Sequence, residues 1–165
     1  MKTVIVQELN LEKFAVYGTY ADMLAPKGPH IGQQPIEFYR DMCTVNSPGE
    51  AVGLSITKVY PRSFEINVAE YHDNCGEAIM PLNGDVLIHV APATGTSDVP
   101  YDDFEVFRVP QGTMVVLYPG VWHHGPFCLG TKPVSTLVVL PVRTYVKDCK
   151  VIPFAEERKI RIAIQ

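Results

Sequence analysis

An eight-residue run, EYHDNCGE, concentrates side chains that can bind metals or move protons. It holds Glu70, His72, Cys75 and Glu77 between stretches in which apolar residues alternate with polar ones. Residues two apart on a β-strand project to the same face, so Glu70 and His72 would point together while Tyr71 points away. The spacing therefore predicts a carboxylate and an imidazole that share one side of a strand.

A second polar cluster lies further along, in YPGVWHHG. It contains the adjacent residues His123 and His124, shortly after the turn-forming pair Pro119-Gly120. Histidine titrates near neutral pH, and burial or a neighbouring charge can raise the pKa of a carboxyl group. Both clusters could therefore take part in acid–base chemistry.

The sequence around both clusters is typical of short β-strands. From Ala51 onward the strand-like runs are VGLSITKV, FEINVAEY, DVLIHVA, FEVFRV, TMVVLY and VSTLVVLPV, with Pro and Gly between them. No helical pattern interrupts them, which favours an antiparallel barrel or jelly roll over a parallel α/β sheet. The C-terminal KIRIAIQ also alternates, and such a strand could pair within the domain or across a dimer. We therefore predict an all-β fold.

Two segments before Ala51 have a different character. Asn10 is a good N-cap for a short helix with Leu11 and Phe14 on its apolar side, and Gly18 would stop it. The stretch from Ala25 to Arg40 is rich in Pro, Gly and Gln and lacks periodicity. We expect a short N-terminal helix followed by a long loop that could form part of a binding-site rim.

Composition limits the kinds of partner. A chain of 165 residues fits one domain, which we predict to span residues 1–165. The net charge of −4, with Lys and Arg few and scattered, argues against nucleic acid and against an anionic membrane as partners. No apolar run is long enough to cross a bilayer. The four cysteines form no C-x-x-C pair, so we expect reduced thiols and a cytoplasmic protein.

The order of the polar residues resembles the two motifs of the cupin superfamily, G-x5-H-x-H-x(3,4)-E-x6-G and G-x5-P-x-G-x2-H. Glu70 stands at the first motif histidine, Tyr118 stands at the motif proline, and Phe127 replaces a usual Asn. The resemblance implies a cupin-type barrel in which a metal binds the four residues that match the ligand positions, namely His72, Glu77 and His123, with Glu70 as an oxygen ligand. Mn, Fe, Ni and Zn all suit such ligands. A metal-free pocket, or polar decoration of the barrel mouth, remains open.

Blocks over nearly the whole chain are similar to bacterial ureidoglycolate lyases. They are F-x-x-Y-G, HIGQQPIEFYRD, LSITK, EYHDNCGEAIMPLNGDV, HVAPA and VWHHGPF, in the order of the family. This resemblance implies a cupin-type enzyme, usually homodimeric, that splits ureidoglycolate into glyoxylate and urea in allantoin-derived purine catabolism. Its matched site positions are His30, Glu70, His72, His123 and His124.

Three residues depart from the family. Glu77 stands where the family usually has Gln, and Lys58 and Tyr71 each stand where it usually has Arg. Because Arg can bind a carboxylate with two parallel hydrogen bonds and Lys offers only a compact charge, Lys58 is expected to bind a substrate carboxylate less selectively.

The expected chemistry is the removal of a hydroxyl proton and the protonation of departing urea, without added water. Glu70, Glu77 and His123 are the expected catalytic proton carriers, and a divalent metal, if bound, would lower the pKa of the hydroxyl. Besides Lys58, the expected substrate-binding residues are His30, Tyr118 and His124. Two alternatives stay open: another metal-dependent cupin enzyme, such as an isomerase of a small sugar acid or keto acid, and a cupin that binds a small molecule without turnover.

Other polar residues are given smaller roles. Cys75 lacks a positioned base and is not expected to act as a nucleophile. His89 lies in the strand DVLIHVA, and the sequence does not show which face of that strand is inward. Arg62 is expected to be a surface charge.

Overall fold

The computed structural model describes residues 1–164 and is built almost entirely from β-strands. Within those residues it has sixteen strands, two α-helices and one 3-10 helix. In chain order they are β1 (Lys2–Glu8), α1 (Leu11–Phe14), β2 (Gly18–Asp22), β3 (His30–Gln33), β4 (Ile36–Tyr39), β5 (Val52–Val59), β6 (Glu65–Ile66), β7 (Val68–Tyr71), β8 (Glu77–Pro81), β9 (Val86–Ala91), β10 (Glu105–Val109), β11 (Thr113–Leu117), β12 (Trp122–His123), β13 (Phe127–Cys128), β14 (Val134–Pro141), α2 (Thr144–Lys147), β15 (Lys150–Pro153), the 3-10 helix (Glu156–Arg158) and β16 (Ile160–Ala163).

Two sheets pack face to face around an apolar core. The larger sheet has the order β15-β7-β12-β9-β10-β1-β16-β6, with β13 also paired to β9, and the smaller has the order β2-β11-β8-β14-β5. Ile88 and Val90 of β9 meet Ile79 of β8 and Val115 and Leu117 of β11 in the core between the sheets. The predicted all-β barrel with a short N-terminal helix is confirmed.

A second apolar cluster covers the outer face of the larger sheet. Leu87 and Ala91 of β9 point into it, together with Trp122 of β12. The C-terminal residues Phe154 and Ile160 pack over them. Because β9 is covered on both faces, all of its six residues are buried, which explains why its sequence is continuously apolar apart from one histidine.

The short helix and its N-cap are confirmed, but the helix ends at Phe14, before Gly18, which opens β2, and Leu11 is exposed. The side chain of Asn10 caps α1 by accepting hydrogen bonds from the backbone N–H groups of Glu12 at 2.9 Å and Lys13 at 3.3 Å. Phe14 is fully buried and anchors the helix in the core between the sheets. Neither α-helix is longer than four residues, and no helix in residues 1–164 is long and apolar enough to cross a membrane.

The segment 25–40, which we expected to be a long loop, has regular structure. The segment contains the antiparallel hairpin β3–β4, in which Ile31 pairs with Phe38. These residues are exposed on both strands, so the sequence lacks the alternation that burial imposes. The chain ends also depart from a purely antiparallel pattern, because β1 pairs in parallel with β10 and with β16. The C-terminal strand thus pairs within its own chain.

Candidate metal centre and active site

Three predicted site residues meet at a single point between the two sheets. The Nε2 atoms of His72 and His123 each lie 3.0 Å from Oε2 of Glu77. His72 directly follows β7 and His123 ends β12, both in the larger sheet, whereas Glu77 opens β8 in the smaller one. All three side chains are buried. We call His72, Glu77 and His123 the triad; it links the two sheets through polar atoms inside an otherwise apolar barrel.

Backbone carbonyls fix the orientation of both imidazoles. Nδ1 of His72 donates to the carbonyl oxygen of Asp148 at 2.7 Å, and Nδ1 of His123 donates to that of Val121 at 2.8 Å. A carbonyl oxygen can only accept, so each Nδ1 must carry a hydrogen. Each neutral ring therefore presents the lone pair of Nε2 toward Glu77.

The triad is strongly coupled electrostatically. Burial works to raise the pKa of Glu77, but hydrogen bonds and charge from His123 and His72 outweigh it and lower that pKa to about 2. Burial likewise works to lower the pKa of His123, but Glu77, with help from the charge of Glu70, raises it. Glu77 is thus an anion, and His123 holds a proton more readily than an ordinary histidine.

The donor set fits a divalent cation. With neutral imidazoles, two Nε2 lone pairs and one carboxylate oxygen converge within 4.8 Å of one another, and none carries a hydrogen to share. Either protons on the imidazoles or a metal ion must offset this repulsion. Two imidazole nitrogens and one carboxylate oxygen are the ligand types of Zn, Fe, Ni and Mn sites.

The turn before His123 also fixes the backbone of the first motif. The N–H of Gly120 donates to the carbonyl oxygen of His72 at 2.6 Å. Gly120 has a φ of 79°, and an added Cβ would lie 3.0 Å from the Cβ of Ala93, so a larger residue would be strained there. This contact explains why a glycine is needed close to the last histidine.

Asp148 is a site residue that the sequence did not predict. In addition to its carbonyl contact with His72, its carboxylate accepts hydrogen bonds from the backbone N–H groups of Asp73 and Asn74, both at 2.9 Å. It also accepts one from the side chain of Asn74 at 3.1 Å. Asp148 therefore holds the loop that follows His72. It lies just after the short helix α2, remote in sequence from both motifs, and no local sequence pattern marks it.

Glu70 lies next to the triad but outside the group of three. It is paired directly with His123 across β7 and β12, so the two side chains share a face, as Glu70 and His72 were predicted to do. Its Oε2 accepts a hydrogen bond from Sγ of Cys149 at 3.3 Å. Its role as a fourth metal ligand stays a prediction, because its oxygens are not among the converging atoms.

The predicted substrate-binding residues occupy separate places. Lys58 and His124 line one cavity of about 250 Å³. Tyr118 is partly exposed after β11, and its N–H donates to the carbonyl oxygen of Tyr17. His30 is exposed on β3, where its ring packs 5.0 Å from that of Tyr39, measured between centroids. Only Lys58 and His124 are therefore brought together.

His89 is on the opposite side of β9 from the triad. It pairs with Val106 of the outer cluster, whereas its neighbour Val90 pairs with His123. Its ring lies near Phe104 and Phe127, at centroid distances of 5.9 Å and 5.8 Å. Neither ring nitrogen has a hydrogen-bond partner within residues 1–164. His89 therefore does not line the barrel interior.

Comparison with solved structures gives remote matches. A dTDP sugar isomerase from Desulfovibrio desulfuricans G20 is 16% identical, with a TM-score of 0.48, and the match covers 79% of this chain and 83% of that one. Bacillus subtilis oxalate decarboxylase, described with Mn(II) centres, is 14% identical over 63% of this chain, with a TM-score of 0.45. The match spans only 24% of that chain.

Sequence comparison gives a family. No curated protein matches the chain significantly. The model of the family described as ureidoglycolate lyase matches residues 1–161, which is nearly the full length. The chain therefore belongs to the ureidoglycolate lyase family.

Proposed function

We propose that the protein is an enzyme that cleaves ureidoglycolate into glyoxylate and urea. The observation that carries the proposal is the convergence of His72, Glu77 and His123 in a chain of this family. The triad offers a carboxylate and two oriented imidazoles, and Glu70 adds a second carboxylate on the same face as His123. Such a group of titratable side chains in a barrel interior is suited to proton transfer.

The reaction requires two proton movements and no water. The hydroxyl of ureidoglycolate loses its proton as the carbon–oxygen double bond of glyoxylate forms. The carbon–nitrogen bond breaks, its electron pair goes to the ureido nitrogen, and that nitrogen takes a proton to release urea. Glu70, Glu77 and His123 are the proposed proton carriers. In the metal-free triad Glu77 is held as an anion and His123 readily holds a proton, whereas with a metal on the triad Glu70 is the carboxylate left to move protons.

We propose that the triad holds a divalent metal, with His72 and His123 binding through Nε2 and Glu77 through a carboxylate oxygen. When bound, the metal would act as a Lewis acid that lowers the pKa of the substrate hydroxyl. Lys58 and His124, which line one cavity, would bind the substrate carboxylate. Tyr118 and His30 stay predicted substrate contacts, and His30 would reach the site from a partner subunit of a proposed homodimer.

A second function is favoured by one residue. Glu77 stands where the family usually has Gln, and it gives the triad a carboxylate that strengthens metal binding. A tightly held metal with no ureidoglycolate turnover would therefore favour a metal-dependent isomerase of a small sugar acid or keto acid.

The direct test is glyoxylate release from ureidoglycolate by the purified protein. We expect release in the wild type and its loss in His72→Ala and His123→Ala, with unchanged rates in Arg161→Gln, a substitution at an exposed strand position. Metal content is measured on the same samples. A folded, metal-loaded wild type that releases no glyoxylate above background would exclude the lyase function.

A further inference from the structure

One cavity beside the triad is lined by cations and by no carboxylate. It lies between β5 of the smaller sheet and β7 of the larger one. Its volume of about 250 Å³ is below the roughly 300–1,000 Å³ of pockets for drug-sized ligands, so it suits a molecule of few carbons. Its titratable lining residues are Lys58, Arg62 and His124.

The two permanent cations of this cavity have no acidic partner. Ion pairs join Lys2, Arg108, Lys147 and Lys159 to carboxylates. None joins Lys58 or Arg62 to a carboxylate anywhere in the described part of the chain. Both residues are exposed, and the Nζ atom of Lys58 lies 5.7 Å from the centroid of the Tyr60 ring, so both cations are free to bind an anion.

Contacts within the chain hold Arg62 in place but occupy few of its hydrogen-bond donors. Its NH2 group donates to the carbonyl oxygen of Gly125 at 2.8 Å, and its guanidinium lies 4.0 Å from the ring centroid of Phe127. A guanidinium has five N–H donors, so these contacts leave most of them free. A planar, immobilised guanidinium can bind a carboxylate with two parallel bonds and loses little freedom in doing so. Phe127, which replaces a usual Asn of the cupin motif, thus provides the surface that orients Arg62.

The cavity adjoins the triad. His124 and Gly125 directly follow His123, and Val68 lies two residues before Glu70 on the same strand. A ligand in the cavity would therefore lie within electrostatic reach of the triad.

We propose that Arg62, acting with Lys58, binds the carboxylate of the substrate and determines the preference of this site for small carboxylic acids. This inference rests on the proposed function for the identity of the substrate, and it adds a residue that sequence spacing had left as a surface charge. The binding of the anion itself needs no turnover, so it is tested separately.

The test is isothermal titration of sodium glycolate, a small unreactive hydroxy acid, into the full-length protein as purified. We expect saturable binding to the wild type and roughly tenfold to hundredfold weaker binding to Arg62→Gln, because a charge-assisted hydrogen-bonded contact is lost. Arg62→Lys should be intermediate, since it keeps the charge without the planar donor pair. Arg161→Gln is the matched control and should bind as the wild type does.

Two results would overturn the inference: no saturable glycolate binding by the wild type, or equal affinities of the wild type and Arg62→Gln. If Arg62→Gln fails to fold, Lys58→Gln tests the same cavity and must show the same loss. If glycolate binding depends on Arg62 but the protein releases no glyoxylate from ureidoglycolate, the carboxylate-binding site is supported and only the lyase function is contradicted.

Discussion

At the residue scale, Glu77 sets the charge of the triad. Its carboxylate faces two imidazoles whose Nδ1 atoms already donate to backbone carbonyls. Any proton that neutralises the repulsion at this point must therefore be on Nε2, the atom a metal would need. Metal binding should consequently release protons and weaken as the pH falls.

Glu77→Gln removes that charge and restores the residue usual in the family. We expect metal affinity at neutral pH to fall at least about tenfold, because a charged oxygen ligand becomes a neutral amide. The measurement is metal content after dialysis, together with a competition titration against a chelator. Glu65→Gln, in a surface ion pair with Lys159, is the control. Equal metal affinity in Glu77→Gln and the wild type would show that Glu77 is not a ligand.

His89 illustrates a different residue-scale effect, which the sequence could not predict because the face of β9 was unknown. Burial, followed by the charges of His124, His123 and Arg62, lowers the pKa of His89 from 6.5 to about 3. The folded protein thus keeps this ring neutral while the unfolded chain protonates it below pH 6.5. The stability contributed by neutral His89 is complete above pH 6.5 and is lost as the pH falls toward 3.

His89→Leu should therefore gain stability relative to the wild type as the solution is acidified. At pH 7.5 we expect it to be at least as stable, because two buried nitrogens without partners are removed. Below pH 6.5 its advantage should grow by up to about 1.4 kcal/mol per pH unit. Urea unfolding from pH 7.5 to 4 measures this difference, with His30→Leu on the exposed hairpin as control. Parallel stability curves for His89→Leu and the wild type would contradict it.

At the element scale, the motif strands were predictable and the connections between them were not. The regular alternation around Glu70 and His72 predicted that these two side chains share a face of the strand. The cupin-like spacing then predicted that Glu77 and His123 belong to the same site. The exposed hairpin β3–β4 has no buried face to impose a pattern. The turn from α2 to β15 supplies Asp148 and Cys149 through tertiary contacts, which leave no local sequence signal.

Asp148→Ala tests whether that turn positions His72. Removing the carboxylate frees the N–H groups of Asp73 and Asn74, so the loop after His72 and the carbonyl contact to its Nδ1 should both loosen. Loss of an outer partner of a metal-binding histidine typically costs about 10–100-fold in affinity or activity, and we expect a loss in that range. Metal affinity is measured as for Glu77→Gln. The control is Asp102→Ala, at a side chain that is 94% exposed, and it should leave the metal affinity unchanged. An unchanged metal affinity in Asp148→Ala would exclude a role of Asp148 in positioning His72.

At the scale of the whole molecule, the triad joins two sheets whose other contacts across the barrel are apolar. The smaller sheet ends at β5, an eight-residue edge strand that follows β14 in the sheet order. Leu54 and Ile56 of this strand are 74% and 59% exposed, and their cross-strand neighbours on β14 are Val139 and Leu137. A long apolar edge strand offers both unpaired backbone groups and an apolar face, features that another chain can cover.

We expect this face to form the contact of the proposed homodimer. The double variant Leu54→Lys, Ile56→Lys places charges at the centre of the exposed face, and burying them in a dimer would be costly. Light scattering coupled to size-exclusion chromatography should therefore show a dimer for the wild type and a monomer for the double variant. Leu11→Lys, on the 67% exposed Leu11 of α1, is the matched control and should remain dimeric. A double variant that folds and stays dimeric would show that the dimer interface is not on this face. A monomeric wild type would contradict the proposed homodimer, and His30 could then not reach the site of a partner subunit.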